Sequence, residues 1–298
     1  MKKKRELLFE STTTGSNKWP WTSACPKDHY HSRGEWPVIS VVIPSYNQGA
    51  FLEKTIRSVL MQNYPSLELI VIDGGSTDMS VEIIEKYAGH LDFWVSEEDS
   101  GQANAINKGL QRATGDILYW INSDDYLLPK ALFHVGSFDW KPEIGAIVGI
   151  GHKVDLQDRV QYTPKVPALS FHAFLHWVGY GNFMQPACFF SAKAWEECGP
   201  LNEKLDFCLD VDLWLKISQK YKFVKIEQDL AHAYIHPTAK TTAERERSKA
   251  ETALLIATYQ GGFEAARQFL YKDADQLSSL KKLARHPLIK AVRKIISR

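Results

Sequence analysis

The sequence predicts an α/β fold, a mostly parallel sheet flanked by helices. Two observations carry that expectation. Between residues 37 and 150, short and nearly continuous apolar runs recur, and stretches with helical apolar spacing separate them. Runs apolar on both faces suit parallel strands covered on each side, and their alternation with helices implies right-handed crossovers. A third observation says where chemistry would sit. Three of the four predicted strands end in carboxylates, and open α/β sheets bind ligands beyond the carboxyl ends of their strands.

The elements follow in order. Residues 1–36 are polar, aromatic and rich in turn formers, including Pro20, Pro26 and Gly34, and read as an extended arm wrapped on a domain. Pro37 opens the β-branched run Val38-Ile39-Ser40-Val41-Val42-Ile43-Pro44, which ends at Ser45-Tyr46-Asn47. Phe51, Leu52, Thr55, Ile56, Val59 and Leu60 then share one helical face. A second strand, residues 67–72, ends at Asp73-Gly74-Gly75-Ser76, and a helix carrying Val81, Ile83, Ile84 and Tyr87 follows. The third strand, Phe93-Trp94-Val95, runs into Glu97-Glu98-Asp99-Ser100-Gly101, and residues 103–113 are helical in composition. The fourth, residues 116–121, ends at Asn122-Ser123-Asp124-Asp125, with a helix expected over 127–140. Beyond residue 150 the alternation fades. A strand is expected over 159–164 and helices over 170–179, 209–221, 243–265 and 267–296, the last interrupted at Pro287.

Composition narrows the function classes. The chain has 298 residues, enough for one large domain or two modest ones, and 44% are apolar. Its 36 basic and 35 acidic residues exclude a disordered acidic chain and a surface wholly devoted to nucleic acid. Cys25, Cys188, Cys198 and Cys208 form no C-x-x-C pair and read as reduced, buried thiols. No secretory leader and no run of about 18 apolar residues is present, so the default location is the cytoplasm. The near-neutrality hides a segregation. Seven of the basic residues and no acid lie between Leu277 and Arg298, so residues 1–276 carry a net −6. Leu288, Ile289, Val292, Ile295 and Ile296 give that tail an amphipathic basic face. It reads equally as an element for an anionic membrane surface and as a helix packed on the domain.

The sharpest motif is Asn122-Ser123-Asp124-Asp125. Carboxylates at a strand end can reach Mg²⁺ or Mn²⁺, which are commonly shared between one or two carboxylates and substrate phosphates. The same residues also suit an Asx-turn capping the next helix. The aromatic stretch Trp177, Tyr180 and Phe183, with Gln185, suits either sugar contact or core packing. His172, His176, His232 and His236 lack the spacing of a zinc site.

The stretch from Val38 to Asp125 resembles the GT-A-fold glycosyltransferases of family 2. The matching segments are Val-Val-Ile-Pro-Ser-Tyr-Asn (41–47), Leu-Ile-Val-Ile-Asp-Gly-Gly-Ser-Thr-Asp (69–78), Asp-Ser-Gly-Gln-Ala-Asn-Ala-Ile-Asn-Lys-Gly (99–109) and Asn-Ser-Asp-Asp (122–125). The resemblance implies an inverting, metal-dependent enzyme moving a sugar from a nucleotide-diphosphate-sugar to a hydroxyl of a saccharide or lipid-linked saccharide. It places Ser45 and Tyr46 in the nucleotide pocket and Asp73 on the base or ribose. Asp99, Gln102 and Ser123 would lie along the diphosphate and sugar. Asp124 would be the main metal ligand, with Asn122 in the first place of the family's Asp-x-Asp motif and Asp125 a second ligand or a cap. Gly74 stands where the family often has a second acid. Gly199-Pro200-Leu201-Asn202-Glu203 and Leu209-Asp210-Val211-Asp212 resemble the family's acceptor-side motif. Asp210 falls on its general base, Leu209 replaces a Glu, and Asp212 is the alternative. His236-Pro237 resembles a segment that approaches the metal or diphosphate.

These matches divide the chain into an arm (1–36), a catalytic domain (37–240) and a C-terminal helical extension (241–298). The catalytic domain comprises a nucleotide-sugar-binding half (37–150) and an acceptor half (151–240). A membrane-surface contact through the tail would suit a lipid-linked acceptor and place the protein at the inner face of the membrane. A nucleotidyltransferase is the main alternative. It would be expected to carry a Gly-rich basic loop after the first strand, but no Lys or Arg occurs there before Lys54. A non-catalytic saccharide-binding relative is the other, and the acids at 73, 124 and 210 speak against it. No G-x-G-x-x-G follows the first strand, which argues against an oxidoreductase.

Overall fold

The computed structural model describes residues 19–31, 34–166, 168–178, 183–236 and 239–266. Four parallel strands form the first part of the sheet: β1 (Ile39–Ser45), β2 (Leu67–Asp73), β3 (Phe93–Ser96) and β4 (Ile117–Trp120), in the order β3-β2-β1-β4. The helices α1 (Gly49–Leu60), α2 (Ser80–Tyr87) and α3 (Gln102–Arg112) join them. Every β1 residue is buried, as a central strand covered on both faces requires. Val42 points into a core shared with α3, while Val41 and Ile43 point into a second core against α1.

The second half completes a mixed sheet. It contains β5 (Asp125–Leu127), α4 (Ala131–Ser137), β6 (Ile144–Val154), β7 (Val160–Tyr162), α5 (Phe171–Phe174), β8 (Cys188–Ser191) and α6 (Ala192–Cys198). Then come α7 (Leu209–Lys220), β9 (Lys222–Tyr234), α8 (Lys240–Ala243) and α9 (Arg245–Ala257). Beyond β4 the order runs β8-β6-β9-β5, with β7 paired to β6. β8 is antiparallel to β4 and β6, whereas β6 and β9 are parallel.

Two expectations need correction. The helix expected over 127–140 starts only at Ala131, because Asp125, Tyr126 and Leu127 pair with Ala233, His232 and Ala231 of β9. Lys130, at φ 67°, then turns the chain into α4. The strands β6, β8 and β9 were not predicted. In β9 the exposed Lys225, Glu227 and Asp229 alternate with half-buried residues, and only Phe223, Leu230 and Ala231 are buried, so it has no continuous apolar run. The helix expected over 243–265 is α9, shorter at both ends. The tail helix lies outside the described residues.

Described arm residues lie across α1 and α4. The Trp19 indole donates to the Leu127 carbonyl (2.8 Å), and Tyr30, Trp36, Tyr64 and Phe133 form one aromatic cluster. All four cysteines are buried free thiols. Among the described residues no helix is long and apolar enough to cross a membrane.

Candidate active site

The ends of β1, β2 and β4 open on one rim, and side chains stitch their loops together. Asp73 is fully buried at the end of β2. Its Oδ2 accepts from the Gly75 amide (3.2 Å), the Ser76 amide (2.8 Å) and Ser96 Oγ (2.7 Å), and its Oδ1 accepts from Ser76 Oγ (2.6 Å). Most of its acceptor capacity therefore holds its own turn, with one lone pair of Oδ1 left for another partner. Ser76 Oγ and the Asn47 carboxamide link this turn to the β1 loop, through Asn47 N (2.8 Å) and Thr77 N (2.9 Å). Asp78 accepts from the first amide of α1, Gly49 N (2.8 Å), and from Ser80 N at the start of α2 (2.9 Å). Asp73→Ala is expected to leave these buried donors unpaired and cost about 2–4 kcal/mol. Urea unfolding would measure it; an unchanged midpoint would contradict the buried role.

Gly74 matters for a different reason. A Cβ there would lie 2.6 Å from Asp99 Oδ2, so the Asp99 carboxylate occupies the space a side chain at 74 would need. Asp99 Oδ1 also accepts from Gly101 N (2.7 Å), and Gly101, at φ 121°, turns the chain into α3. Tyr46 is 61% exposed at the end of β1, with its ring presented to solvent. Ser45 Oγ beside it is buried and has no partner among the described residues.

At the end of β4, Asn122 is a bridge. Gln102 Nε2 donates to its Oδ1 (2.7 Å), and its Nδ2 donates to Asp125 Oδ2 (3.2 Å). Both ends of the carboxamide are thus hydrogen-bonded, and one lone pair of Oδ1 is left for another partner. Gln102 is likewise bound to Asn122. Asp125 also turns inward. Its backbone pairs with β9, and burial, followed by the charge of Asp124, pushes its carboxyl well above the usual range. Ser123 is buried, and its carbonyl accepts from Thr55 Oγ1 (2.8 Å). Asp124 remains at the surface of the rim, with His236 Nε2 3.1 Å from its Oδ2. The buried His236 ring stacks on Phe51, centroids 4.8 Å apart, which fixes its direction. Among the described residues no three His, Cys, Asp or Glu side chains converge as a complete metal cage. A carboxylate and an imidazole on one point nevertheless fit a hard cation that keeps waters and phosphate oxygens as its other ligands.

The opposite side of the rim belongs to α7. Asp210 is half-buried, and its Oδ1 accepts from Val211 N (2.8 Å). Burial pushes its carboxyl up to about 6, against the pull of that amide. Asp212 is committed elsewhere: Tyr259 Oη donates to its Oδ1 (2.6 Å), and Lys216 Nζ lies 2.6 Å from its Oδ2. Asp210 also raises the thiol of neighbouring Cys188, after burial itself. The antiparallel pairing of β8 with β4, Leu118 opposite Phe190, sets Cys188 level with Trp120. Asp210 therefore lies at the same end of the sheet as Asn122–Asp125.

Residues that the sequence did not single out hold this side in place. Asn107 of α3 donates to the Leu201 carbonyl (3.0 Å), accepts from the Leu201 amide (2.9 Å) and donates to Glu203 Oε1 (2.9 Å). Asn104 and Ser100 donate to Glu203 Oε2. From the other side, Glu251 of α9 accepts from the amides of Asp206 (3.2 Å), Phe207 (2.7 Å) and Cys208 (3.1 Å), just before α7. Asn107 and Glu203 stand inside the quoted motifs, but their pairing spans 96 residues and leaves no local signature. Glu251→Ala is expected to cost about 1–2 kcal/mol of stability, as loss of a helix cap does. It should also lower kcat more than it raises KM for the donor; a change confined to KM would contradict a role in placing the Asp210 loop.

The chain can now be set beside known proteins. The sequence model of glycosyl transferase family 2 matches residues 40–190. An uncharacterised glycosyltransferase of Haemophilus influenzae is 39% identical over 94 residues, 30% of this chain and 38% of that protein. The chondroitin synthase of Pasteurella multocida is 25% identical over 217 residues, 67% of this chain and 21% of that protein. The chain spans less than two thirds of the length of the curated relatives it matches. Staphylococcus aureus TarS in complex with UDP-GlcNAc superposes with a TM-score of 0.58 at 16% identity, covering 79% of this chain and 72% of that one. The mannosyltransferase PcManGT of Pyrobaculum calidifontis, with GDP-Man and Mn²⁺, superposes with a TM-score of 0.54 at 19% identity, covering 92% and 86%. At such identities the two structures establish the shared GT-A fold, while the family match covers half the chain, strand ends included. The chain belongs to glycosyl transferase family 2.

Proposed function

We propose that the protein is an inverting, divalent-cation-dependent glycosyltransferase acting in polysaccharide or glycoconjugate synthesis. It would transfer a sugar from a nucleotide-diphosphate-sugar to a hydroxyl of a saccharide or lipid-linked saccharide. One observation carries this reading. Asp124 with His236, and Asp210 with its raised pKa, lie at one end of the sheet, while the neighbouring acids Asp73, Asp125 and Asp212 are engaged in the fold. A base with a conjugate acid near 6 is ionised at neutral pH yet basic enough to take a hydroxyl proton. Asp210 would accept that proton as the acceptor oxygen attacks the anomeric carbon from the face opposite the nucleotide. Tyr46 and Ser45 would contact the nucleoside, with the remaining lone pair of Asp73, and Asp99 would line the diphosphate and sugar. Asp124 and His236 would hold Mg²⁺ or Mn²⁺, which when bound neutralises the charge of the departing diphosphate.

The names of relatives support the substrate class: a chondroitin synthase, and structures solved with UDP-GlcNAc and GDP-Man. The nucleotidyltransferase alternative loses its nearest cation. Lys54 Nζ is 2.6 Å from Asp158 and donates to Tyr234 Oη at 2.6 Å, so it is not poised for a triphosphate. Location at the inner face of the membrane, through the basic tail, belongs to the same proposal. The test is thermal stabilisation by a panel of nucleotide sugars, with and without Mn²⁺. At 100 times Kd a donor should add about 2.7 kcal/mol of stability. No shift with any donor would refute the reading.

A further inference from the structure

A second concave site lies beside the rim. A cavity of about 570 Å³ opens between the end of β6, the chain after β9 and the helices α8 and α9. Lys153, Arg245 and Lys249 line it, together with Thr242, Ser248, Thr252 and Trp177. No acid lines it. Neither Lys153 nor Arg245 forms an ion pair among the described residues, and Lys249 meets only Glu246, at 3.8 Å on an exposed helical face. Such an exposed pair is weak and leaves the ammonium available. Edge contacts with Phe174 and Phe183, at 5.6 and 5.0 Å between centroids, hold the Trp177 ring from behind.

The cavity adjoins the reaction rim on two counts. Ile235, in its lining, immediately precedes His236, whose imidazole meets Asp124. Lys153 pairs with Ala233 of β9, which pairs on its other side with Asp125. Three cations, three hydroxyl-bearing residues and an aromatic side chain describe a site for a saccharide that carries an oxyanion. The volume lies within the usual range of small-ligand pockets. Nothing in the donor reading uses these residues, because the donor's diphosphate is assigned to the cation held by Asp124 and His236, beside Asp99.

We propose that this cavity is an acceptor subsite for an anionic saccharide, its phosphate or carboxylate held by Lys153, Arg245 and Lys249 and its ring against Trp177. The proposal rests on the transferase reading for the word acceptor, but not for the binding itself. Isothermal titration calorimetry at about 50 mM salt tests it with glucose 1-phosphate, glucuronic acid and glucose. At least one anionic sugar should bind about tenfold more tightly than glucose or better, and the preference should fall as salt is raised. Which of the two binds tells phosphate from carboxylate. K153A/R245A/K249A should lose that preference by about tenfold or more, while its thermal stabilisation by the donor stays that of the wild type. Equal binding of glucose and both anions, no binding of either anion, or an unchanged triple variant would each overturn the subsite. The donor screen reports separately on the transferase reading, so the two can fail independently.

Discussion

Asp210→Asn is expected to lower sugar transfer by about 10²–10⁴-fold, the range of a positioned general base, while donor binding is unchanged. The substitution keeps shape and size and removes only the ability to take a proton. The wild-type enzyme should show kcat rising with pH through an apparent pKa of about 6, the value to which burial lifts Asp210. In the Asn variant that limb should vanish from the residual activity. A stability signature follows from the same shift. The folded-state pKa of Asp210 is raised, so the acid form favours the fold, and that advantage is lost as pH rises from the ordinary carboxylate range through about 6. Above that window the charged side chain is a burden, and Asp210→Asn should be more stable than wild type at pH 8 by about 1–3 kcal/mol. Retained transfer would move the base elsewhere; lost donor binding would mean that the residue shapes the nucleotide pocket. Asp212 is a poor substitute, since Tyr259 and Lys216 occupy its oxygens.

Asp124→Ala should abolish the response of donor turnover to divalent cation, with a loss of about 100-fold or more. The reason is local economy of donors. Asn122 is hydrogen-bonded to both Gln102 and Asp125, and Asp125 is turned into the sheet. Asp124 is then the one carboxylate of the motif directed at the rim, and His236 is its partner. His236→Ala should weaken metal activation more mildly, about 10–100-fold, because water can take one position. Initial rates across a Mn²⁺ titration separate these cases. A fully active Asp124→Ala variant with the wild-type metal response would remove the metal from this motif.

The parts legible in the sequence are those in which local pattern and burial coincide. β1 and β2 are continuous apolar runs because both faces are covered, and their polar ends mark the rim. β9 escaped because one face looks outward, so Lys225, Glu227 and Asp229 interrupt the apolar pattern. At the site, the motifs marked the loops that meet on one rim but not which of their side chains the fold itself engages. Asp73, Asn122 and Asp125 carry the residue types of ligands, and their contacts bind them mainly to the protein. The contact that engages Asp212 comes from Tyr259, 47 residues away, and no spacing rule reaches that far.

The loop that leads to Asp210 hangs between two anchors made at different times. Asn107 supplies one and Glu251, with Tyr259 beyond it, the other. A chain emerging from the ribosome exposes β1–β4 and their loops long before residue 251 exists, but domains generally fold as units. The amides before α7 stay uncapped until α9 docks. The segment that carries Asp210 is therefore completed from a helix that the ribosome delivers after it.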